Sequence, residues 1–562
     1  MSRIRFALAQ INPTVGDIAG NSRLISEAVA DAVAHSASIV AFPEMALTGY
    51  PIEDLAFNRD FVRESMAGVS HLAESLTKAG FGDIAVIVGY IRESTTESHG
   101  GAIAHNSLAV LHDGQIVATY DKQHLPNYSV FDEQRVFNAG RDDLVIDIGG
   151  VRTGLLICED LWRDEGPVAR MAARDTDVVV VINASPYERT KDDTRMPLMS
   201  QRAKEFDAPV LYVNLVGGQD DLVFDGDSAV TNASGALSAR AARFTTDVIY
   251  ADIDGTSPDQ GLKVRTWEHF ADWAPGDLSD NEELDDVWDA LVLGLRDYAR
   301  KNSFSSIALG LSGGIDSAVC AVLAVDALGA ENVLGVSMPS QWSSEHSRDD
   351  AAELARNLGC VYTVEPISEL VEPFASQLHL DGVAAENIQA RVRGMILMAK
   401  SNQDGHLVLT TGNKTEIAVG YSTMYGDTVG GFAPLKDVPK SMVWALAERR
   451  NERAVLAGEG APIPVSSISK PPSAELRPGQ TDQDTLPDYA TLDAILDRLI
   501  DHRQTVGEIV GAGFDLDTVS GVAHLVRISE WKRRQGAIGP RISNMAFGRE
   551  RRLPITVRRT ST

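Results

Sequence analysis

Cysteine is scarce. Only Cys158, Cys320 and Cys360 occur in 562 residues. Three thiols cannot build a disulfide framework, and a reducing, cytoplasmic setting is expected. No apolar run reaches the length of a membrane-spanning helix, so no membrane partner is expected. The N-terminus enters a strand-like run at once (Ile4–Ile11) and has no signal-peptide core. Positive charge is short: 51 Lys and Arg face 79 Asp and Glu, a formal net charge of −28. That balance argues against nucleic acid as a partner, though a local basic site for small anions remains open. Internal repeats and low-complexity tracts are missing too. What is present is 44% hydrophobic and 23% charged residues, the composition of a globular chain long enough for two to four domains.

The first 255 residues read as an α/β layout. Strand-like runs cover Arg5–Ile11, Ala37–Phe42, Ala85–Ile91, Asn106–Leu111, Ile116–Tyr120, Gly154–Cys158, Asp177–Asn183 and Val210–Val216. Helical patterns lie between several of them, as at Ser22–His35 and Pro197–Phe206. His112-Asp113-Gly114 marks a hairpin turn. Residues 256–280 lose periodicity and hold Pro258, Gly261, Pro275 and Gly276, so a linker is expected there. A helix from about Glu282 to Lys301 opens a second unit, 281–562, whose alternating strands and helices predict a doubly wound parallel sheet. Gly458–Pro487 is rich in Pro and Gly and reads as a long functional loop.

Inside that second unit, Gly310-Leu311-Ser312-Gly313-Gly314-Ile315-Asp316-Ser317 joins a short apolar run to an apolar helical pattern. A strand, a glycine-rich turn and a helix start bring backbone N–H groups to one point, and the helix dipole favours an anion there. Ser312 and Ser317 add hydroxyls. Asp316 is a carboxylate in a phosphate cradle, which makes sense if it holds a Mg²⁺ that the phosphates share. No G-K-[ST] follows, so this is not a Walker loop. It resembles the PP-loop of ATP pyrophosphatases, which split ATP into AMP and pyrophosphate while adenylating a substrate.

Three strand ends in the first unit carry a second signal: Phe42-Pro43-Glu44, Asp121-Lys122-Gln123-His124-Leu125-Pro126, and Leu156-Ile157-Cys158-Glu159-Asp160. Parallel sheets gather such ends along one edge. A carboxylate there can take a thiol proton, and an ammonium can stabilise an oxyanion. Taken singly, a Cys ending an apolar strand is more often a small buried hydrophobe, and a lone Lys or Glu a solvated charge. Together, in this order, they resemble the signatures of the nitrilase, or carbon–nitrogen hydrolase, superfamily. That resemblance implies an αββα sandwich with Glu44 as general base, Lys122 as oxyanion and proton-transfer partner, and Cys158 as nucleophile.

A nitrilase-like domain followed by a PP-loop domain resembles the glutamine-dependent NAD⁺ synthetases across essentially the whole chain. The resemblance implies that Tyr128, Ser185 and Lys191 bind L-glutamine. It implies that Gly310, Leu311, Ser312, Gly313, Gly314, Ile315, Asp316, Ser317 and Thr411 bind ATP, with Lys440 a further contact. Asn387, Glu416 and Lys532 would bind deamido-NAD⁺, and Asp316 and Glu416 would hold Mg²⁺. Ser469–Gln480 resembles the loop that covers the family's active site, with Ser473 a phosphate donor. Met424 stands where some ammonia-dependent relatives carry Lys, so one cationic contact must come from elsewhere. The implied reaction adenylates deamido-NAD⁺ and amidates it with glutamine-derived ammonia, releasing AMP, pyrophosphate and glutamate, the last step of NAD⁺ biosynthesis. Homo-oligomers, dimers of synthetase domains or larger, are implied as well. Another PP-loop amide-forming ligase and a non-catalytic relative remain as alternatives.

Overall fold

The computed structural model describes residues 3–95, 101–189, 191–254, 263–265 and 279–557. The chain divides into two units, Met1–Gln219 with Val223–Asp277, and Asp220–Leu222 with Leu278–Thr562. The linker expected over 256–280 lies outside the described residues except at its end, where Ser279 caps the helix Asp280–Lys301, and at Lys263–Arg265, a strand pairing with Asp247–Asp254.

Among the described residues the first unit holds two large sheets. One runs, in spatial order, Lys263–Arg265, Asp247–Asp254, Arg3–Gln10, Ile39–Ala41, Ala85–Glu93, Ala104–His112 and Gln115–Asp121; the other runs Leu237–Arg240, Ala229–Thr231, Val210–Asn214, Val178–Asn183, Val151–Ile157 and Leu144–Ile148. Side chains alternate across a strand. Phe6 and Leu8 therefore enter the core shared with Leu155, Ile157 and Val179 of the second sheet. Ala7 and Ala9 face outward to Ile25, Val29, Val69 and Leu72 of the helices Ile18–Ala34 and Arg59–Lys78. The helix Asp192–Phe206 covers the second sheet through Met199, Ala203 and Phe206. This is the expected αββα sandwich.

The sheets are mixed, not wholly parallel as the strand-end argument assumed. Arg3–Gln10, Ile39–Ala41 and Ala85–Glu93 run parallel, but Ala104–His112 pairs antiparallel with Ala85–Glu93, and Gln115–Asp121 antiparallel with Ala104–His112. Two reversals restore direction, so Gln115–Asp121 runs with Ile39–Ala41. The ends bearing Glu44 and Lys122 thus still reach one edge. The hairpin between the last two strands turns on Asp113 (φ 46°) and Gly114 (φ 76°), both left-handed, as a two-residue turn requires.

The second unit carries a parallel sheet in the order Val361–Val364, Val333–Ser337, Ile307–Gly310, Leu407–Val408. Chain order reverses direction between Ile307–Gly310 and Leu407–Val408. In doubly wound sheets that switch point opens a crevice at the carboxyl ends of the strands. The strand expected to run to Thr411 stops at Val408, because the chain then leaves the sheet: Leu409 bridges Phe432 and Thr410 N–H donates to the Phe432 carbonyl. The loop expected over Gly458–Pro487 contains a short helix, Val465–Ser469, and one 3₁₀ turn, Asp482–Asp484.

Candidate active sites

In the first unit, Glu44 opens the turn that follows Ile39–Ala41 and is fully buried. Its backbone lies so close to the neighbouring strand that a Cβ on Gly89 would meet Met45 N at 2.2 Å. Lys122 follows Gln115–Asp121 and is 1% exposed. Its Nζ donates to Glu44 Oε1 at 2.7 Å and to Glu133 Oε1 at 2.9 Å. Asn106 Nδ2 donates to Glu44 Oε1 at 2.6 Å, and Ala184 N–H to Glu44 Oε2 at 2.9 Å. Cys158 sits at the start of the short helix Glu159–Trp162, with φ +43°. A non-glycine residue held there is strained, and strain of this kind concentrates at functional turns.

The charges explain one another. Burial works to lower the Lys122 ammonium's pKa, but the Glu133 and Glu44 carboxylates outweigh it and hold it well above the usual lysine value. Burial pushes the Cys158 thiol up, and the Glu44 carboxylate adds to that while Lys122 opposes it. The resting site therefore holds a neutral thiol beside an ion-paired lysine. Burial pushes Glu133 up to about 7 despite Lys122. Glu133 was not anticipated from the sequence. It lies on the helical turn Glu133–Val136, takes a hydrogen bond from Tyr50 Oη at 2.9 Å, and keeps Oε2 buried with no donor.

Around this cluster, Tyr128 Oη donates to Glu159 Oε2 at 2.8 Å, and Arg163 Nε donates to Glu159 Oε1 at 2.9 Å. Ser185 is buried at the end of Val178–Asn183; its N–H donates to Asn214 Oδ1 at 2.9 Å. Lys191 Nζ lies 4.9 Å from the centre of the Trp162 ring.

The second unit holds a cavity of about 590 Å³ at its switch point. Gly310, Leu311, Ser312, Gly314, Ile315, Asp316, Ser317, Thr411, Glu416, Lys440 and Lys532 all line it. Gly314 caps the helix Ile315–Leu328. The Ser317 hydroxyl donates to the Gly314 carbonyl at 2.9 Å and lies 3.1 Å from Ser312 Oγ, which accepts from Gly314 N–H at 3.2 Å. Gly313 is not a lining residue. Its φ of +79° and a distance of 2.2 Å from an added Cβ to the Ser347 carbonyl oxygen explain why it must be glycine.

Asp316 and Glu416 both reach Lys440 Nζ, the latter at 3.3 Å. Asn413 Nδ2 also donates to Asp316 Oδ1 at 2.8 Å. Burial works to lower the Lys440 ammonium's pKa, but the two carboxylates raise it. Burial pushes Glu416 up to about 8, against the pull of Lys440 and with the help of Asp316. Two hard oxygen donors crowded at one point fit a Mg²⁺ that takes its remaining ligands from phosphates and water. Among the described residues no group of three or more His, Cys, Asp or Glu converges on a metal position.

Asn387 stands behind the wall: its Oδ1 accepts from Thr423 Oγ1 at 2.8 Å, bracing the turn whose Gly426, Asp427 and Thr428 line the cavity. Arg391 Nε donates to the Met424 carbonyl at 3.2 Å. Lys532 Nζ donates to the Gly420 and Ser422 carbonyls, both at 2.8 Å. Ser473 lines the cavity but gives its hydroxyl to the Gln480 carbonyl at 2.6 Å. Arg393, not anticipated, enters the lining with Nε on the Met338 carbonyl at 3.0 Å. Burial pushes its guanidinium down to about 10. The covering loop is pinned where Glu475 Oε1 accepts from Ser347 Oγ at 2.7 Å and Ser344 Oγ at 3.0 Å.

Known proteins match both units. The carbon-nitrogen hydrolase family matches residues 5–257 and the NAD synthase family residues 287–536. A glutamine-dependent NAD(+) synthetase of Xanthomonas campestris pv. campestris is 44% identical, over 98% of this chain and 97% of its own. The structure of a glutamine-dependent NAD⁺ synthetase from Acinetobacter baumannii, in complex with ADP, is 39% identical, covers 99% of this chain and 98% of its own, and gives a TM-score of 0.75. One from Cytophaga hutchinsonii, 23% identical over 99% of this chain and 98% of its own, shares the fold at a TM-score of 0.81. With two such sites on one chain and these relatives along its full length, the chain belongs to the glutamine-dependent NAD(+) synthetases and is a ligase that forms a carbon–nitrogen bond.

Proposed function

We propose that the chain amidates deamido-NAD⁺ to NAD⁺ with ATP, through an NAD-adenylate, using ammonia cut from L-glutamine in its first unit. The observation that carries this reading is the buried Lys122 ammonium, bridging Glu44 and Glu133 beside Cys158, on the same chain as a PP-loop cavity. In the first unit Glu44 takes the thiol proton of Cys158, and the thiolate attacks the side-chain amide of glutamine. Lys122 stabilises the oxyanion and returns a proton to the leaving ammonia. Water then releases glutamate from the thioester. Tyr128, Ser185 and Lys191 hold the amino acid.

In the second unit the backbone from Gly310 to Ser317, with Thr411, cradles ATP; the ADP in the Acinetobacter baumannii relative supports an adenine nucleotide here. Asp316 and Glu416 would hold Mg²⁺, which when bound neutralises phosphate charge. The nicotinate carboxylate attacks the α-phosphate, pyrophosphate leaves, and ammonia displaces AMP. Adenylation is needed because a carboxylate has no good leaving group. Lys532 contacts deamido-NAD⁺, while Asn387 serves that pocket by bracing its wall. Arg393 is a candidate for the cationic contact that Met424 does not supply.

The same reading divides the chain into a glutaminase domain, 1–255, a linker, 256–280, and a synthetase domain, 281–562. It places the enzyme in the cytoplasm, where Cys158 stays reduced. No described helix is long and apolar enough to cross a membrane. The net charge of −28 favours small-molecule partners over nucleic acid. A homo-oligomer is supported by apolar side chains left exposed in the second unit: Leu370, Phe374 and Leu378 on the helix Ser368–Leu378, which buries none of its residues, and Val361 and Val364 on the edge strand. The decisive assay supplies ATP and deamido-NAD⁺, once with glutamine and once with ammonium. NAD⁺ and AMP are expected from both, and AMP release that ignores deamido-NAD⁺ overturns the reading.

A further inference from the structure

The strand end that carries Cys158 continues into Glu159 and Asp160, and the chemistry above makes no use of Asp160. Asp160 is fully buried in the short helix Glu159–Trp162. All of its hydrogen-bond donors are neutral. Oδ1 accepts from His124 N–H at 2.8 Å and Gln123 N–H at 3.1 Å. Oδ2 accepts from Tyr120 Oη at 2.8 Å and, at 3.4 Å, from Ile157 N–H. Burying a carboxyl group among neutral donors is a costly way to stabilise a turn. Burial accordingly pushes this carboxyl up to about 6.

The donors define what the carboxylate grips. Tyr120 lies two residues before Lys122, and Gln123 and His124 follow it. Asp160 therefore holds the Lys122 segment on both sides. It does so from the turn that presents Cys158, which belongs to the other sheet of the sandwich. The two segments are 36 residues apart in sequence. Glu44 and Glu133 fix the ammonium from within the site. Asp160 fixes the backbone that delivers it.

We infer that Asp160 is a positioning residue for glutamine hydrolysis, a clip that sets Lys122 against Cys158 by binding the Lys122 segment to the Cys158 turn. The inference rests on the proposed roles of Cys158 and Lys122. Asp160 touches no substrate, so its loss acts on the rate of the chemical step and leaves glutamine binding nearly intact. A misplacement of about 1 Å at a reacting group costs about 100-fold.

The test uses the full-length enzyme and reads glutamate release, NAD⁺ formation from glutamine and NAD⁺ formation from ammonium. Asp160→Ala is expected to lower kcat for glutamine about 100-fold, with KM and ammonium-driven synthesis within about 3-fold of the parent. Asp160→Asn keeps an oxygen for the two backbone N–H groups and is expected to recover about 10-fold of that loss. A merely structural role would lower the melting temperature without this split between kcat and KM or this rescue. If Asp160→Ala does not fold, Asp160→Glu decides: it keeps the charge but moves the oxygens, and a fall in kcat of about 10-fold supports the clip. Parental kcat in a folded Asp160→Ala, or in Asp160→Glu when the alanine variant does not fold, overturns it. Cys158→Ala is run alongside. Glutamine hydrolysis that survives Cys158→Ala overturns the underlying assignment of the nucleophile, whereas loss there with parental kcat in Asp160→Ala overturns the clip alone.

Discussion

The two sites handle charge in opposite ways. In the first unit Glu44, Lys122, Glu133 and Cys158 are all buried, and the lysine is ion-paired to both carboxylates before any substrate arrives. In the second, the Asp316 and Glu416 side chains keep 18% and 17% of their surface in a cavity of about 590 Å³, sharing one lysine. Under the proposed function, the difference follows from what each would bind. An amide is small and neutral, so acid, base and nucleophile can be set in place and kept from water, where each interaction is stronger. A nucleotide brings its own negative charge and its counter-cation. A site complete in charge beforehand would repel it or leave no room.

The contrast breaks most visibly at Cys158, the proposed nucleophile. Cys158→Ala is expected to cut glutamine-driven NAD⁺ formation by at least about 10⁴-fold. Ammonium-driven formation continues, because the second cavity draws its lining from the other unit. Parallel assays with the two nitrogen sources check this, and loss of both in a folded protein refutes the division of labour. Asp316→Asn should act in the mirror sense, lowering pyrophosphate release about 10³-fold with either nitrogen source. Glutamine hydrolysis measured alone shows whether the first site is spared.

Smaller effects sharpen the picture. Glu133→Gln removes one of the two carboxylates that hold Lys122. Glutamate release is expected to fall about 100-fold, and an unchanged rate would leave Glu133 a spectator. The least effect is on stability. Burial raises the pKa of Asp437, but Lys414 and the N–H groups of Ile542 and Ser543 outweigh it and hold the carboxyl below its ordinary value of 3.8. A depressed carboxyl stabilises the fold above the unfolded value, and that contribution is lost as pH falls through the folded one. Asp437→Asn should cost about 2 kcal/mol near neutrality. Denaturation followed from pH 7 downward should show the gap to the parent narrowing below pH 3.8.

The parts legible in the sequence were those written locally. A glycine-rich turn between strand and helix carries its chemistry within a few consecutive residues, so Asp316 can be picked out without knowing the fold; Glu44, Lys122 and Cys158 are ambiguous singly and stand out only together, in the order that resembles the nitrilase signatures. Glu133 cannot. It lies on a turn of four residues with no periodicity, and only the sandwich brings it to Lys122. Arg393 sits on a helix where any arginine reads as surface; its place in the cavity is set by the sheet beside it. Strand direction was misread for a related reason. Hydrophobic alternation is the same in parallel and antiparallel pairs, and the hairpin at Asp113-Gly114 signalled one reversal without its effect on the edge. Edge strands such as Leu144–Ile148, half-exposed with no fully buried residue, gave too weak a pattern to be expected.

Gly89 lends the molecule a property apart from its chemistry. It lies in Ala85–Glu93, where a Cβ would press on the turn that holds Glu44, the proposed general base. Nothing at that position touches the second cavity. Gly89→Ala is therefore expected to lower glutamine-driven NAD⁺ formation while ammonium-driven formation continues, and assays with the two nitrogen sources check this. By that expectation a glutamine-fed enzyme would become an ammonia-fed one with both units and every proposed catalytic residue in place, through a single codon change in the middle of a buried strand.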